Sequence, residues 1–398
     1  MTNCMIPNGY KKTSLGIIPK EWEVKKLVDL CYNQGDYGIN APAVDYSEEL
    51  PTYLRITDIN DDGKINLDNK VSVNSPDSKN YYLKEGDIVF ARTGATVGKT
   101  YLYNKKDGNF VFAGFLIRFS PNKQKIIPYY LKTYTTTAHY WHWVRITSQR
   151  SGQPGINAAE YSSLRIPTPP LPEQQKIAEI INTWDKAIEK QSQLIEKLEL
   201  RKKGLMQQLL TAKRRLPGFS DTWKKIKLGN ISKIKTGNRN NEDKVVNGKY
   251  PFFVRSSTIE RINSYSYDGE AILIPEEGKI GEIIHYINGK FDYHQRVYKI
   301  SDFTNCLGIY LYYYLMYFFR KQAINHSVKA CVDSLRISTF INMKILYPTR
   351  IEQAAIAQVL TVADHEIELA KQKLELLRQQ KHGLMQQLLT GKKRVNHE

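Results

Sequence analysis

The stretch EQQKIAEIINTWDKAIEKQSQLIEKLELRKKGLMQQLLT, Glu173 to Thr211, returns at Glu352 to Thr390 as EQAAIAQVLTVADHEIELAKQKLELLRQQKHGLMQQLLT. The offset of 179 holds without a gap over 39 positions, 19 of them identical, and the closing GLMQQLLT is unbroken. An internal duplication fixes the architecture before any local reading does. In the first copy Ile177, Ile181, Trp184 and Ile188, then Ile195, Leu198, Leu205 and Leu209, fall on steps of three and four. In the second, Ile356, Leu360, Ala363 and Ile367, then Leu374, Leu377, Leu384 and Leu388, fall on the same steps. A 3.5-residue apolar period is the seam of a coiled coil. No proline interrupts either copy, and Pro172 stands just before the first, where a helix start tolerates it. Each copy makes a helical rod of roughly 58 Å.

Working outward, the segment between the copies leaves the end of one helix and enters the start of the other. Domain termini usually lie close together, so the helices are expected to pair antiparallel. The resulting expectation is an α+β protein with a globular domain at each end of a two-helix spacer, related by an approximate twofold. The boundaries read as 1–170 for the first domain with its N-terminal arm and 171–213 for the first helix. The second domain then takes 214–349, the second helix 350–391 and a tail 392–398. The two domains open alike, at IPKEWEVKKLVDL and FSDTWKKIKLGNI, with Trp22 matching Trp223 and Leu27 matching Leu228. GDIVFARTGATVG (Gly86 to Gly98) aligns with GEAILIPEEGKIG (Gly269 to Gly281), each an apolar strand running into a glycine-bearing turn. Short alternating runs such as PTYLRITDI, FVFAGFLIRF, KYPFFVRSS and RVYKI predict strands. Helix is expected near Tyr129 to Trp143 and Leu307 to Gln322, and each sheet is expected to be strongly bent. Pro169 and Pro348 keep the 179 offset and stiffen the passage from sheet to helix.

The 58 Lys and Arg against 40 Asp and Glu leave a net charge of +18. That excess is spread over both globular segments, which points to a polyanion, most often nucleic acid. The apolar patch LGIYLYYYLMYFF (Leu307 to Phe319) is too short and too rich in tyrosine to span a bilayer. The N-terminus lacks the apolar core of a signal peptide. Cys4, Cys31, Cys306 and Cys331 are scattered without a C-x-x-C pair, which fits a reducing compartment, and a cytoplasmic location is expected.

Three catalytic readings find little support. TGATVGKT (Thr93 to Thr100) has one residue too few between its glycines for a P-loop, and TYLYNKK after it reads as strand rather than helix. Asp268, Glu277 and Lys279 loosely match a metal-dependent nuclease set, but the aligned turn in the first domain carries no carboxylate. His139 and His142 have no third ligand nearby. No Asn-Pro-Pro-Tyr methyl-transfer motif and no G-x-G-x-x-G occurs.

GYKKTSLGIIPKEWEVKKL, GDIVFARTGATVGK, SGQPGIN before IPTPPLPEQQKIA, KGLMQQLLT and RRLPGFSDTWKKIKLG follow one another in an order that resembles the specificity subunit of type I restriction–modification enzymes. The resemblance covers nearly the whole chain. It implies two target recognition domains, each reading half of a split double-stranded DNA sequence, and helices that set the spacing. It also implies docking of two methyltransferase subunits, a restriction or translocase subunit in the same complex, and no catalysis by this chain. S-adenosylmethionine and Mg-ATP are expected on the partner subunits, with no cofactor here. The second domain departs from the pattern in AILIPEEGKIG and in KACVDSLRIS (Lys329 to Ser338), which replaces SGQPGIN.

A rigid spacer with a reader at each end suits half-sites about 34–36 Å apart, one turn of B-DNA. Base edges are read by arginine and by side-chain amides, and phosphates by basic and hydroxyl groups. In the first domain the candidates are Arg55, Thr57 and Asp58, then Arg92, Thr93 and Lys99, then Gln149, Arg150 and Gln153. In the second they are Arg239, Asn240, Arg255 and Ser256, with His294, Gln295 and Arg296. Leu205, Met206 and Leu209, with Leu384, Met385 and Leu388, are the candidate partner-binding residues. Gly204 and Gly383, each mid-helix in GLMQQLLT, are expected to allow a close backbone approach or a bend. A coiled-coil protein scaffold and a metal-dependent nuclease are the competing functions.

Overall fold

The computed structural model describes residues 6–277, 281–326 and 335–396. Cys4, Lys279, Cys331 and most of the Lys329 to Ser338 stretch lie outside the described residues. The chain forms two compact units, Met1–Lys190 with Leu374–Glu398, and Gln191–Lys373. The division departs from the domain limits read from the sequence, because each unit takes half of either long helix. Those helices run Leu171–Leu210 and Arg350–Leu388.

Each unit is built on one antiparallel helix pairing. In the first, Ile177 and Ile181 from the start of one helix share a core with Met385, Leu388 and Leu389 from the end of the other. Trp22, Tyr130 and Tyr161 complete that core. In the second, Met206, Leu209 and Leu210 pack with Ile356, Ala357 and Leu360, beside Leu228, Tyr310 and Phe340. Ion pairs follow the same direction, with Glu199 against Lys371, Arg201 against Glu366 and Lys202 against Asp364. Gln191 occupies a buried seam position, and its Nε2 donates to the Ala370 carbonyl at 3.0 Å. A polar side chain in an apolar seam fixes register, since a slip would leave it unsatisfied.

The 179 offset governs contacts as well as sequence. Lys381 binds Asp185 at 2.6 Å in the first unit, as Lys202 binds Asp364 in the second. Tyr129 and Tyr313 donate to those same two aspartates. At each helix start a fully buried glutamate accepts an indole N–H and a bidentate arginine. Glu173 is held by Trp22 Nε1 at 2.9 Å and by Arg394 at 2.6 and 2.9 Å. Glu352 is held by Trp223 Nε1 at 3.1 Å and by Arg215 at 2.6 and 2.7 Å. The next residue seals the joint. The Gln174 amide binds the Ile127 N–H and the Lys125 and Pro169 carbonyls. The Gln353 amide binds the Leu307 N–H and the Asn305 and Pro348 carbonyls.

Two expectations about the helices are corrected here. Met206, Leu209, Met385 and Leu388 are buried in their own units, and Leu205 and Leu384 pack against the same cores, so these six hold the fold together and offer little to a partner. Gly204 and Gly383 have open space where a side chain would begin, so neither marks a close approach within the chain, and each helix continues unbroken through its glycine.

The sheets also depart from one bent sheet per domain. The first unit carries two four-stranded sheets. Phe110–Phe112 belongs to one and Leu116–Phe119 to the other, so the chain changes sheet across Ala113-Gly114-Phe115. Strands of two to four residues cannot keep one ladder across such a bend. The second unit has a single six-stranded sheet centred on Tyr267–Pro275, which pairs antiparallel with both His285–Tyr293 and Val297–Ser301. In both, a two-stranded ribbon ties the domain opening to the helix entry, Glu23–Lys26 with Arg165–Thr168 and Lys224–Lys227 with Lys344–Tyr347. The helices expected near Tyr129 and Leu307 are present, at Pro128–Tyr134 with Ala138–Thr147, and at Gly308–His326. No helix among the described residues is long and apolar enough to cross a membrane.

Candidate nucleic-acid interface

In the first unit the buried strand Ile88–Ala91 delivers Arg92 and Thr93 to the surface. Gly94 and Gly98 hold positive φ of +71° and +87°. A Cβ on Gly98 would come within 2.6 Å of Val144, so the tight return needs glycine there. The turn lies beside SGQPG. The Gly94 N–H donates to the Pro154 carbonyl at 3.0 Å, and the Ile156 N–H to the Arg92 carbonyl at 2.8 Å. Arg92 stacks over Tyr37, 4.8 Å from its centroid, and Phe115 next to it is 59% exposed. The surface thus shows Arg92, Thr93 and Gln153 together, with Gln149 exposed at the edge. Arg150 points instead to Glu160, at 2.5 and 2.7 Å, where it steadies the capping box of the following short helix.

The P-loop likeness ends here. Gly94–Thr96 is a single 3-10 turn that leads into the strand Thr100–Leu102. Lys99 pairs with Asp61 at 2.7 Å. The Arg55, Thr57 and Asp58 group is also reassigned. Asp58 is 5% exposed, and both its oxygens are taken by Arg55, at 2.8 and 3.1 Å. The hydrogen bonds to Asp58 raise the Arg55 pKa above its ordinary value. Asp58 is therefore a brace for the turn rather than a base reader, whereas Thr57 stays exposed.

In the second unit Asn240, Arg255, Gln295 and Arg296 line one open cleft. The neighbouring depression contains Arg255, Ser256 and Glu277. Glu277 joins the two arginines, with Arg296 Nη1 at 2.6 Å and Arg255 Nη1 on its other oxygen. The Arg255 hydrogen bond, then that of Arg296, holds its carboxyl below the usual carboxylate range. His294 is 4% exposed beneath this rim, and its Nδ1 accepts the Arg296 N–H at 3.0 Å. Burial and then the two arginines push its pKa down, so it is a neutral support and not a surface reader. Arg239 is likewise anchored. Its Nε binds the fully buried Asp292 at 3.2 Å and its Nη2 binds Ser264 at 3.0 Å.

The nuclease set does not assemble. Asp268 lies near the start of the strand Tyr267–Pro275 and Glu277 just past its end, so the extended stretch from Asp268 to Pro275 alone puts roughly 23 Å between them at about 3.3 Å per residue. Among the described residues no group of three or more His, Cys, Asp or Glu could hold a metal ion. Tyr37, Phe115 and the bridging role of Glu277 were invisible to sequence reasoning. Arg394 was within reach, because extending the repeat four residues past its last threonine aligns Arg215 with Arg394.

The family model for the type I restriction modification DNA specificity domain matches the chain twice, at residues 19–200 and 220–379. The chain is 27% identical over 437 residues to the putative type I restriction enzyme MjaX specificity subunit of Methanocaldococcus jannaschii, covering 97% of each. It is 25% identical to the MjaVIII specificity subunit of the same organism, over 96% of this chain and 95% of that one. A crystal structure of the type I restriction–modification S subunit from M. genitalium superposes with a TM-score of 0.62 at 15% identity, over 97% of this chain and 98% of that one. The fold, the duplicated helices and the twofold match to the family model place this chain in the type I restriction–modification DNA specificity family.

Proposed function

We propose that this chain is the DNA-recognition subunit of a type I restriction–modification complex, with each compact unit reading one half of a bipartite target. The observation that carries this reading is the repetition of contacts at the 179 offset, from Lys381–Asp185 and Lys202–Asp364 to the two buried glutamate clamps. Two equivalent frames that display different polar turns suit two different half-sequences. The Arg92 turn serves one half and the cleft of Arg255 and Arg296 the other. Two methyltransferase subunits dock along the exposed faces of the long helices, and a restriction or translocase subunit joins the same complex. S-adenosylmethionine and Mg-ATP are bound by those partners, and this chain contributes recognition alone.

The test is co-expression with the cognate methyltransferase in a host that lacks both, followed by genome-wide mapping of methylated bases. A split motif, two short specified blocks around unspecified bases, is the expected result. A single contiguous motif, or no methylation by a complex shown to assemble, overturns the reading. Purified chain should also be held by a DNA column at low salt and released as salt rises; a scaffold would pass through.

A further inference from the structure

We propose that Glu277 is a positioning residue that holds Arg255 and Arg296 as a matched pair of guanine readers, so that the half-site of the second unit contains a G·C pair. This rests on the DNA-recognition reading above and adds the residues and the base class. The two arginines come from separate places, Arg255 just after the strand Tyr250–Phe253 and Arg296 from the turn between His285–Tyr293 and Val297–Ser301. One carboxylate joins them across the mouth of the cleft. The side chains of Arg255 and Arg296 are 42% and 51% exposed, so the pairing adds little to stability. Its consequence is geometric, since it removes rotamer freedom from two long side chains before DNA arrives.

Among the described residues the carboxylate takes only the Nη1 corner of each guanidinium. Arginine carries five N–H donors in a planar fork. The remaining edge of each matches the O6 and N7 acceptors of guanine in the major groove, the commonest specific arginine contact. The support beneath is rigid. The Glu276 N–H donates to the Arg296 carbonyl at 2.9 Å, and the Gln295 N–H donates to the Arg239 carbonyl at 2.8 Å. Asn240 and Gln295 flank the pair on the same cleft and carry the amide groups that read adenine. The aligned turn of the first unit bears Arg92 and Thr93 and no carboxylate, so the device belongs to one half-site only.

The experiment uses the assembled methyltransferase complex with the full chain and maps methylated bases for wild type, Glu277→Gln and Arg296→Lys. The wild-type map tests the function first. Without a split motif the DNA-recognition reading fails, whatever the variants do. With one, replacing residues 214–349 by those of a relative shows which half belongs to the second unit. That half is expected to contain at least one G·C pair. Glu277→Gln should raise methylation at sites with guanine replaced by adenine by about tenfold or more, within the ~5- to 150-fold that one bidentate contact discriminates. The other half should be unchanged. Arg296→Lys keeps the charge but loses the fork, and should relax the same position; it also serves if Glu277→Gln lowers solubility. An A·T-only half-site overturns the proposal. So does an unaltered motif in both variants, or a uniform loss of affinity for all sequences, which is the signature of phosphate contacts.

Discussion

Arg394→Ala is expected to destabilise the first unit by about 3–5 kcal/mol, the cost of leaving one partner of a buried ion pair uncompensated. Glu173 has no solvent exposure and accepts three hydrogen bonds, two from Arg394 and one from Trp22. Removing the guanidinium leaves a carboxylate with one neutral donor in a core that water does not reach. Glu21 also pairs with Arg394, but its side chain is 65% exposed, so it adds little. Arg215→Ala should cost the second unit a similar amount, because Glu352 is equally buried and held by three donors of the same kind, two from Arg215 and one from Trp223. The assay is urea unfolding followed by probes in each unit, since two units need not unfold in one step. Adding Glu173→Gln to Arg394→Ala should restore most of the loss, because a neutral amide no longer needs the cation. The reasoning fails if Arg394→Ala costs less than about 1 kcal/mol, or if the double variant is as unstable as the single one.

Gly204→Ala and Gly383→Ala should each stabilise the isolated chain by ~1 kcal/mol, because both lie inside helices and face open space; a lower melting temperature would show that the space is filled. Gln191→Leu should keep or raise stability while loosening helix register, read as exchange broadening or a second pairing in cysteine cross-linking, and a single unchanged register would count against the role given to Gln191. Burial lowers the Lys132 pKa to about 8, with its Nζ donating to Thr100. Between that value and the ordinary lysine range the unfolded chain binds more protons, so this group makes the first unit more stable as pH rises through the window. The difference in unfolding free energy between wild type and Lys132→Met should therefore rise through that window, and parallel curves would refute it.

The helix pairing was readable because a repeat of 39 positions with an apolar seam admits few alternatives. The clamps were half readable. Glu173 meets Trp22 across 151 residues of chain and Arg394 across 221, yet each of the three has a mate in the other half. The sheet division in the first unit was not readable, because strands as short as Asp36–Tyr37 carry almost no periodicity. Among the candidate readers, sequence could place Arg92 and Arg296 in polar turns. It could not separate them from Asp58, Arg239 and His294. A polar residue in a turn looks the same whether it faces solvent or is tied to a buried partner such as Asp292. The helix-end leucines and methionines failed for the opposite reason. Their apolar stripe matches a partner surface and an internal core equally well, and here the stripe is consumed inside each unit.

The most direct measurement replaces residues 20–170 by the equivalent domain of a relative and maps methylated bases made by the reassembled complex. Two independent readers on duplicated frames predict that one half of the split motif changes to that of the relative, while the other half and the spacing stay as they were. A change in both halves, or an altered spacing with unchanged halves, would contradict the account.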